Sequence, residues 1–96
     1  MPIARIRPSG TEKTFKIPCS GEGIFVSVNQ GYSDGAGSVI YWNGTEMKIM
    51  TRSLNCDIKR ITVQEGVATV IVSNSTGNYD ESARVCFIPG NPLTSN

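Results

Sequence analysis

Histidine is absent from this chain. That gap removes the commonest general base at neutral pH, and with it the Ser-His and Cys-His nucleophile pairs. It also leaves a zinc ion only Cys and carboxylate ligands, and no C-x-x-C spacing begins such a site. Charge is scarce too. Charged residues make up 18% of the chain, nine Lys+Arg stand against eight Asp+Glu, and the formal net charge is +1. So even a balance exerts no long-range pull on a polyanion, and nucleic acid is not an expected partner. There are three cysteines, Cys19, Cys56 and Cys86. An odd number cannot all pair within one chain, so they read as reduced, small apolar side chains in a protein folded in a reducing cytoplasm. No apolar run approaches the ~18 residues that cross a bilayer as a helix. The opening MPIARIRPSG lacks the apolar core of a secretion signal, so no signal peptide and no membrane partner are expected.

Motifs that would carry chemistry are missing as well. Asp34, Asp57, Asp80 and Glu81 all fall in apparent turns. No spacing pairs two of them for glycoside hydrolysis, and none builds the D-x-D-x-D-G run of a calcium loop. They are expected to be solvated. The glycines of GEG and GAG do not form G-x-G-x-x-G ahead of a helix, so no phosphate cradle is expected. The expected catalytic, metal and cofactor sets are therefore empty, and the chain is not expected to be an enzyme.

What is present is strand grammar. Ninety-six residues make one domain. Residues 13 to 18, KTFKIP, alternate apolar and polar and end at Pro18. In GIFVSVNQ, from 23 to 30, Ile24, Val26 and Val28 share one face, and Phe25, Ser27 and Asn29 share the other. GYSDGAG follows as a glycine-rich loop, then SVIYW, a nearly continuous apolar strand. Asn43-Gly44 predicts a two-residue type I′ turn that pairs SVIYW with TEMKIM. DIKRITV and VATVIVS form a second hairpin around Glu65-Gly66. A polar loop, SNSTGNYDES, leads into ARVCFI, where Ala83, Val85 and Phe87 face one way. That is about seven strands with turn signals every ten residues or so, and no helical period. The expected fold is all-β, a small antiparallel β-sandwich or jelly-roll-like barrel. Residues 1–12, with Pro2, Pro8 and Gly10, read as an extended N-terminal arm; 13–90 form the domain, and 91–96 a short tail.

Binding residues are sought in loops. Tyr32 and Tyr79 stand in polar loops, where aromatic side chains anchor saccharide or protein contacts. Ser33, Asp34 and Asn78 flank them as hydrogen-bonding groups. Arg5 and Arg7 are the only local basic bias, and they belong to the arm. Trp42, just before the turn, reads as a cross-strand packing residue.

The stretch GIFVSVNQGYSDGAGSVIYWNG, with KRITVQEGVATVIVSNSTGNYDESARVCFI after it, resembles the terminal β-sandwich modules of bacteriophage virions, found at tail-fibre tips and in capsid decoration proteins. The likeness covers about residues 23 to 88. It implies a homotrimeric, non-enzymatic virion protein made in a bacterial cytoplasm. A chain that starts at Met1 favours capsid decoration or a small tail accessory role over a fibre tip. The expected function is self-association together with binding: to a capsid or tail lattice through the arm, or to a host-surface glycan or protein through the 30–37 and 74–82 loops. Two other functions fit the same sequence, a small phage-encoded inhibitor of a bacterial enzyme or defence system and a lectin-like carbohydrate-binding domain.

Overall fold

The computed structural model describes residues 3–6, 11–31, 37–52, 56–74 and 81–90. These form eight strands and no helix: β1 (Ile3–Ile6), β2 (Thr11–Pro18), β3 (Gly23–Gly31), β4 (Val39–Trp42), β5 (Met47–Thr51), β6 (Asp57–Gln64), β7 (Val67–Asn74) and β8 (Glu81–Pro89). All pairings are antiparallel. One sheet has the order β1-β8-β3-β4-β5 and the other β2-β7-β6. The all-β sandwich read from the sequence is the fold observed, and every expected strand is present. The additional strand, β1, lies in the segment expected to be an arm. It pairs with β8 of the same chain, with Ile3 opposite Arg84 and Ile6 opposite Glu81. First strand against last, and second against seventh, is the wrapping of a jelly roll. The β3-β4-β5 meander and the β6-β7 hairpin depart from that pattern.

The core fills the space between the sheets. Phe15 and Ile17 come from β2, Phe25 from β3, Ile40 and Trp42 from β4, Ile58 and Ile61 from β6, Ala68, Val70 and Val72 from β7, and Ala83 and Val85 from β8. Phe25 sits at its centre. Trp42 meets it edge-on with ring centroids 6.3 Å apart, and Phe87 lies tilted against it at 4.7 Å, geometries that suit the ring quadrupoles. Trp42 is thus a core packing residue, only 4% exposed.

The two hairpins exchange the turn chemistry expected of them. Gln64 pairs with Val67, so Glu65 and Gly66 alone make the β6-β7 loop, and both have positive φ, 53° and 76°. That is the type I′ requirement, met here with a glutamate in the left-handed region. Asn43-Gly44 is instead part of a four-residue loop, because Trp42 pairs with Met47. Only Gly44 has positive φ there, at 105°. The Asn43 side chain accounts for the difference. Its Oδ1 accepts hydrogen bonds from the Thr45 and Glu46 backbone N–H groups, each 2.9 Å, and from the Thr45 hydroxyl at 3.0 Å. Asparagine here makes an Asx turn rather than a left-handed residue.

Candidate functional site

Strand registers determine where the loops leave the sandwich. Gly31, the last residue of β3, pairs with Glu81, the first of β8, and Ile6, the last of β1, pairs with the same Glu81. Thr11, the first of β2, pairs with Asn74, the last of β7. Asp57, the first of β6, pairs with Ser73. The strand ends that bound 7–10, 32–36, 53–55 and 75–80 therefore lie at one end of the molecule. Tyr32, Ser33, Asp34, Asn78, Tyr79 and Arg7 lie outside the described residues, in three of those four segments. Arg5 is within β1, opposite Ser82.

A buried polar cluster braces this end and joins the two sheets. Ser27 on β3 and Ser38, just before β4, bind twice: the Ser27 N–H donates to the Ser38 carbonyl at 3.0 Å, and the Ser38 N–H donates to Ser27 Oγ at 2.9 Å. Ser27 Oγ in turn donates to the Cys56 carbonyl across the sandwich at 2.5 Å. Ser38 Oγ donates to Asp57 Oδ1 and accepts from the Ile58 N–H, each at 3.2 Å. Cys56 holds φ at 54°, the left-handed region, which turns the chain into β6. Gly37 has to be glycine for a different reason. A Cβ there would stand 1.7 Å from the Ser27 carbonyl oxygen.

Asp57 corrects the expectation of a solvated turn carboxylate. It is 1% exposed. Arg52 Nε donates to its Oδ1 at 2.8 Å, and Lys59 Nζ lies 3.2 Å from Oδ2. The Lys59 contact lacks hydrogen-bond alignment, so its effect is electrostatic. A buried carboxylate needs such partners, because an isolated charge there would be strongly unfavourable. The available sequence signal was the pair of cations five residues before and two residues after one acid. Alone it could not separate a buried ion pair from a solvated charge run.

The remaining polar features are structural in character. Tyr41 on β4 donates its phenol O–H to Glu22 Oε2 at 2.5 Å. That bond, then desolvation and the Glu22 charge, raise the Tyr41 pKa above the usual tyrosine value. Burial likewise raises the Cys19 thiol pKa, which makes it a poor nucleophile. Cys19, Cys56 and Cys86 are all thiols. Cys86 is half-buried on the outside of its sheet rather than in the core. Two shallow depressions lie at the end away from the polar cluster. One, of about 320 Å³, is lined by Pro18, Cys19, Phe87 and Pro89, and the other, of about 370 Å³, by Trp42, Thr45, Ile61 and Thr62. Among the described residues no group of three His, Cys, Asp or Glu side chains could hold a metal ion.

Comparison with known proteins gives no family model, no curated protein and no solved structure that matches this chain.

Proposed function

We propose that this protein is a non-enzymatic binding module of a bacteriophage or prophage virion. It associates with itself and contacts a lattice protein or a host-surface ligand with the loop end of its sandwich. The observation that supports this reading most is the convergence of strand ends Ile6, Thr11, Gly31, Asn74 and Glu81 at one braced end. A rigid sandwich that presents several neighbouring connections at one end is a common way to carry a recognition surface. Tyr32, Ser33, Asp34, Asn78 and Tyr79 are the proposed contacts, with Tyr32 and Tyr79 as anchors. Arg5 and Arg7 are the proposed lattice contacts. They are better tested by substitution than by deletion, because removing the arm would also remove β1 from its sheet.

The test uses labelled protein against a glycan array, intact bacterial cells and purified phage capsids. Tyr32→Ala with Tyr79→Ala should abolish glycan or cell binding, and Arg5→Ala with Arg7→Ala should abolish capsid binding, without moving the unfolding midpoint. Wild-type protein that binds none of the three, or variants that bind as well as wild type, would overturn the reading.

A further inference from the structure

The central strands of the five-stranded sheet, β8, β3 and β4, are largely apolar on both faces, with Arg84 at one margin of the outer face and Lys48 of β5 beside Tyr41 at another. Inside, Gly23, Phe25 and Ser27 of β3 are buried. Outside, the same strand carries Ile24, Val26 and Val28, flanked by Val39 on β4 and by Cys86 and Ile88 on β8. The registers make these rows. Ile88, Ile24 and Tyr41 lie side by side, as do Cys86, Val26 and Val39, and Arg84 lies beside Val28. Ile88 is 55% exposed and Val28 37%. An antiparallel sheet with a solvated face normally alternates apolar and polar residues, and a contiguous apolar patch marks a contact surface.

We propose that this outer face packs against the same face of a second copy, related by a two-fold axis. The inference rests on the self-association reading above and names its surface. The resemblance implies three copies, whereas this surface favours two. Two observations point to a second copy as the occupant. First, the face is self-complementary in charge. Arg84 stands at the Val28 end, half-buried. Glu22 stands at the opposite end, where it offers one oxygen to Tyr41. A two-fold axis between the Ile24 and Val26 rows sets Ile24 of one copy on Val26 of the other and brings each Arg84 row over the other copy's Glu22. Second, the edge strands offer little to strand addition, and one of them, β1, is only four residues long. β5 carries a bulge and Lys48, β6 carries a bulge with Lys59 and Arg60, and β2 carries Lys13 and Lys16. Bulges and edge lysines are the usual blocks to edge pairing, so association is left to a face.

Three central strands ~4.8 Å apart and five residues long give an apolar patch roughly 15 Å on each side. That is small for a stable dimer, so the dissociation constant should be micromolar or weaker. Sedimentation of the full chain from about 10 µM to about 1 mM tests the proposal across that range. Wild type should rise with concentration to the mass of two chains. Val28→Lys with Ile88→Lys should weaken association at least about tenfold with an unchanged unfolding midpoint. Arg84→Glu should weaken it too, and Arg84→Glu with Glu22→Lys should restore it, a rescue that a merely structural role would not produce. Association that persists in the Val28→Lys, Ile88→Lys variant overturns this surface and leaves self-association standing. A three-chain mass overturns the two-fold arrangement. A monomer at every concentration overturns both this inference and the self-association reading.

Discussion

Replacing Ser27 by alanine tests the brace at the loop end most directly. The substitution deletes one oxygen and leaves the chain free to keep its backbone path. Two bonds go with it, one donated by the Ser38 N–H at 2.9 Å and one donated to the Cys56 carbonyl at 2.5 Å. Ser27 is 2% exposed and Ser38 is fully buried, so water cannot take over the Ser38 N–H without opening the sandwich. An unsatisfied buried donor costs about 1–3 kcal/mol, and the second bond adds about 1 kcal/mol. The expected loss is therefore about 2–4 kcal/mol, out of roughly 5–14 kcal/mol for a domain of this length. In melting temperature that is a fall of roughly 10–20 °C. Urea unfolding followed by Trp42 fluorescence measures it, since the lone tryptophan is buried in the core and reports its solvation. Ser20→Ala, on an exposed serine, should stay within about 0.5 kcal/mol of wild type. A Ser27→Ala loss below about 1 kcal/mol would refute the claim that this cluster joins the sheets.

Three other substitutions probe separate features. Gly37→Ala should cost more than about 4 kcal/mol, because its Cβ would meet a backbone oxygen at 1.7 Å; a soluble variant with a wild-type urea midpoint would show that the approach is looser than described. Glu65→Asn should stabilise the β6-β7 hairpin by about 0.5–1 kcal/mol, since asparagine tolerates the positive φ better than glutamate, and an unchanged or lower midpoint would count against the turn assignment. Tyr41 favours its neutral form in the folded state, so the stability from its bond to Glu22 is complete below the ordinary tyrosine pKa and is lost as pH rises through the raised value. Ultraviolet titration should show one tyrosine ionising late in wild type and none in Tyr41→Phe; the same late step in both would exclude Tyr41 as its source.

Much of the fold was legible because strand patterning is local. Apolar alternation and β-branched runs located all the core strands. Where the sequence misled, long-range partners decided the outcome. β1 is four residues, IARI, between prolines, and only its ladder with β8 makes it a strand. The Asn43-Gly44 pair had two turn chemistries open to it, and the asparagine side chain chose the Asx form. In β3 the more uniformly aliphatic set, Ile24, Val26 and Val28, faces outward, while the set containing Phe25 and Ser27 faces the core. Periodicity separates two faces but does not say which one is covered. Ser27 reads as a polar strand residue and proves to be a buried joint, because its partners Ser38 and Cys56 are distant in sequence. The candidate site was legible only as loop residues. That their strand ends converge depends on pairings between the first, second, seventh and eighth strands.

The position of β8 has a consequence for how the chain reaches this structure. It is the last of the eight described strands in sequence, yet it is inserted between β1 and β3, the first and third. During synthesis the larger sheet is split until residues 81–89 leave the ribosome, with the edges of β1 and β3 open and Phe25 lacking Phe87. Folding of this sheet therefore waits for β8 rather than proceeding strand by strand as the chain emerges. Closure over such long sequence separations is slow, and the half-built sheet is the species most exposed to wrong partners.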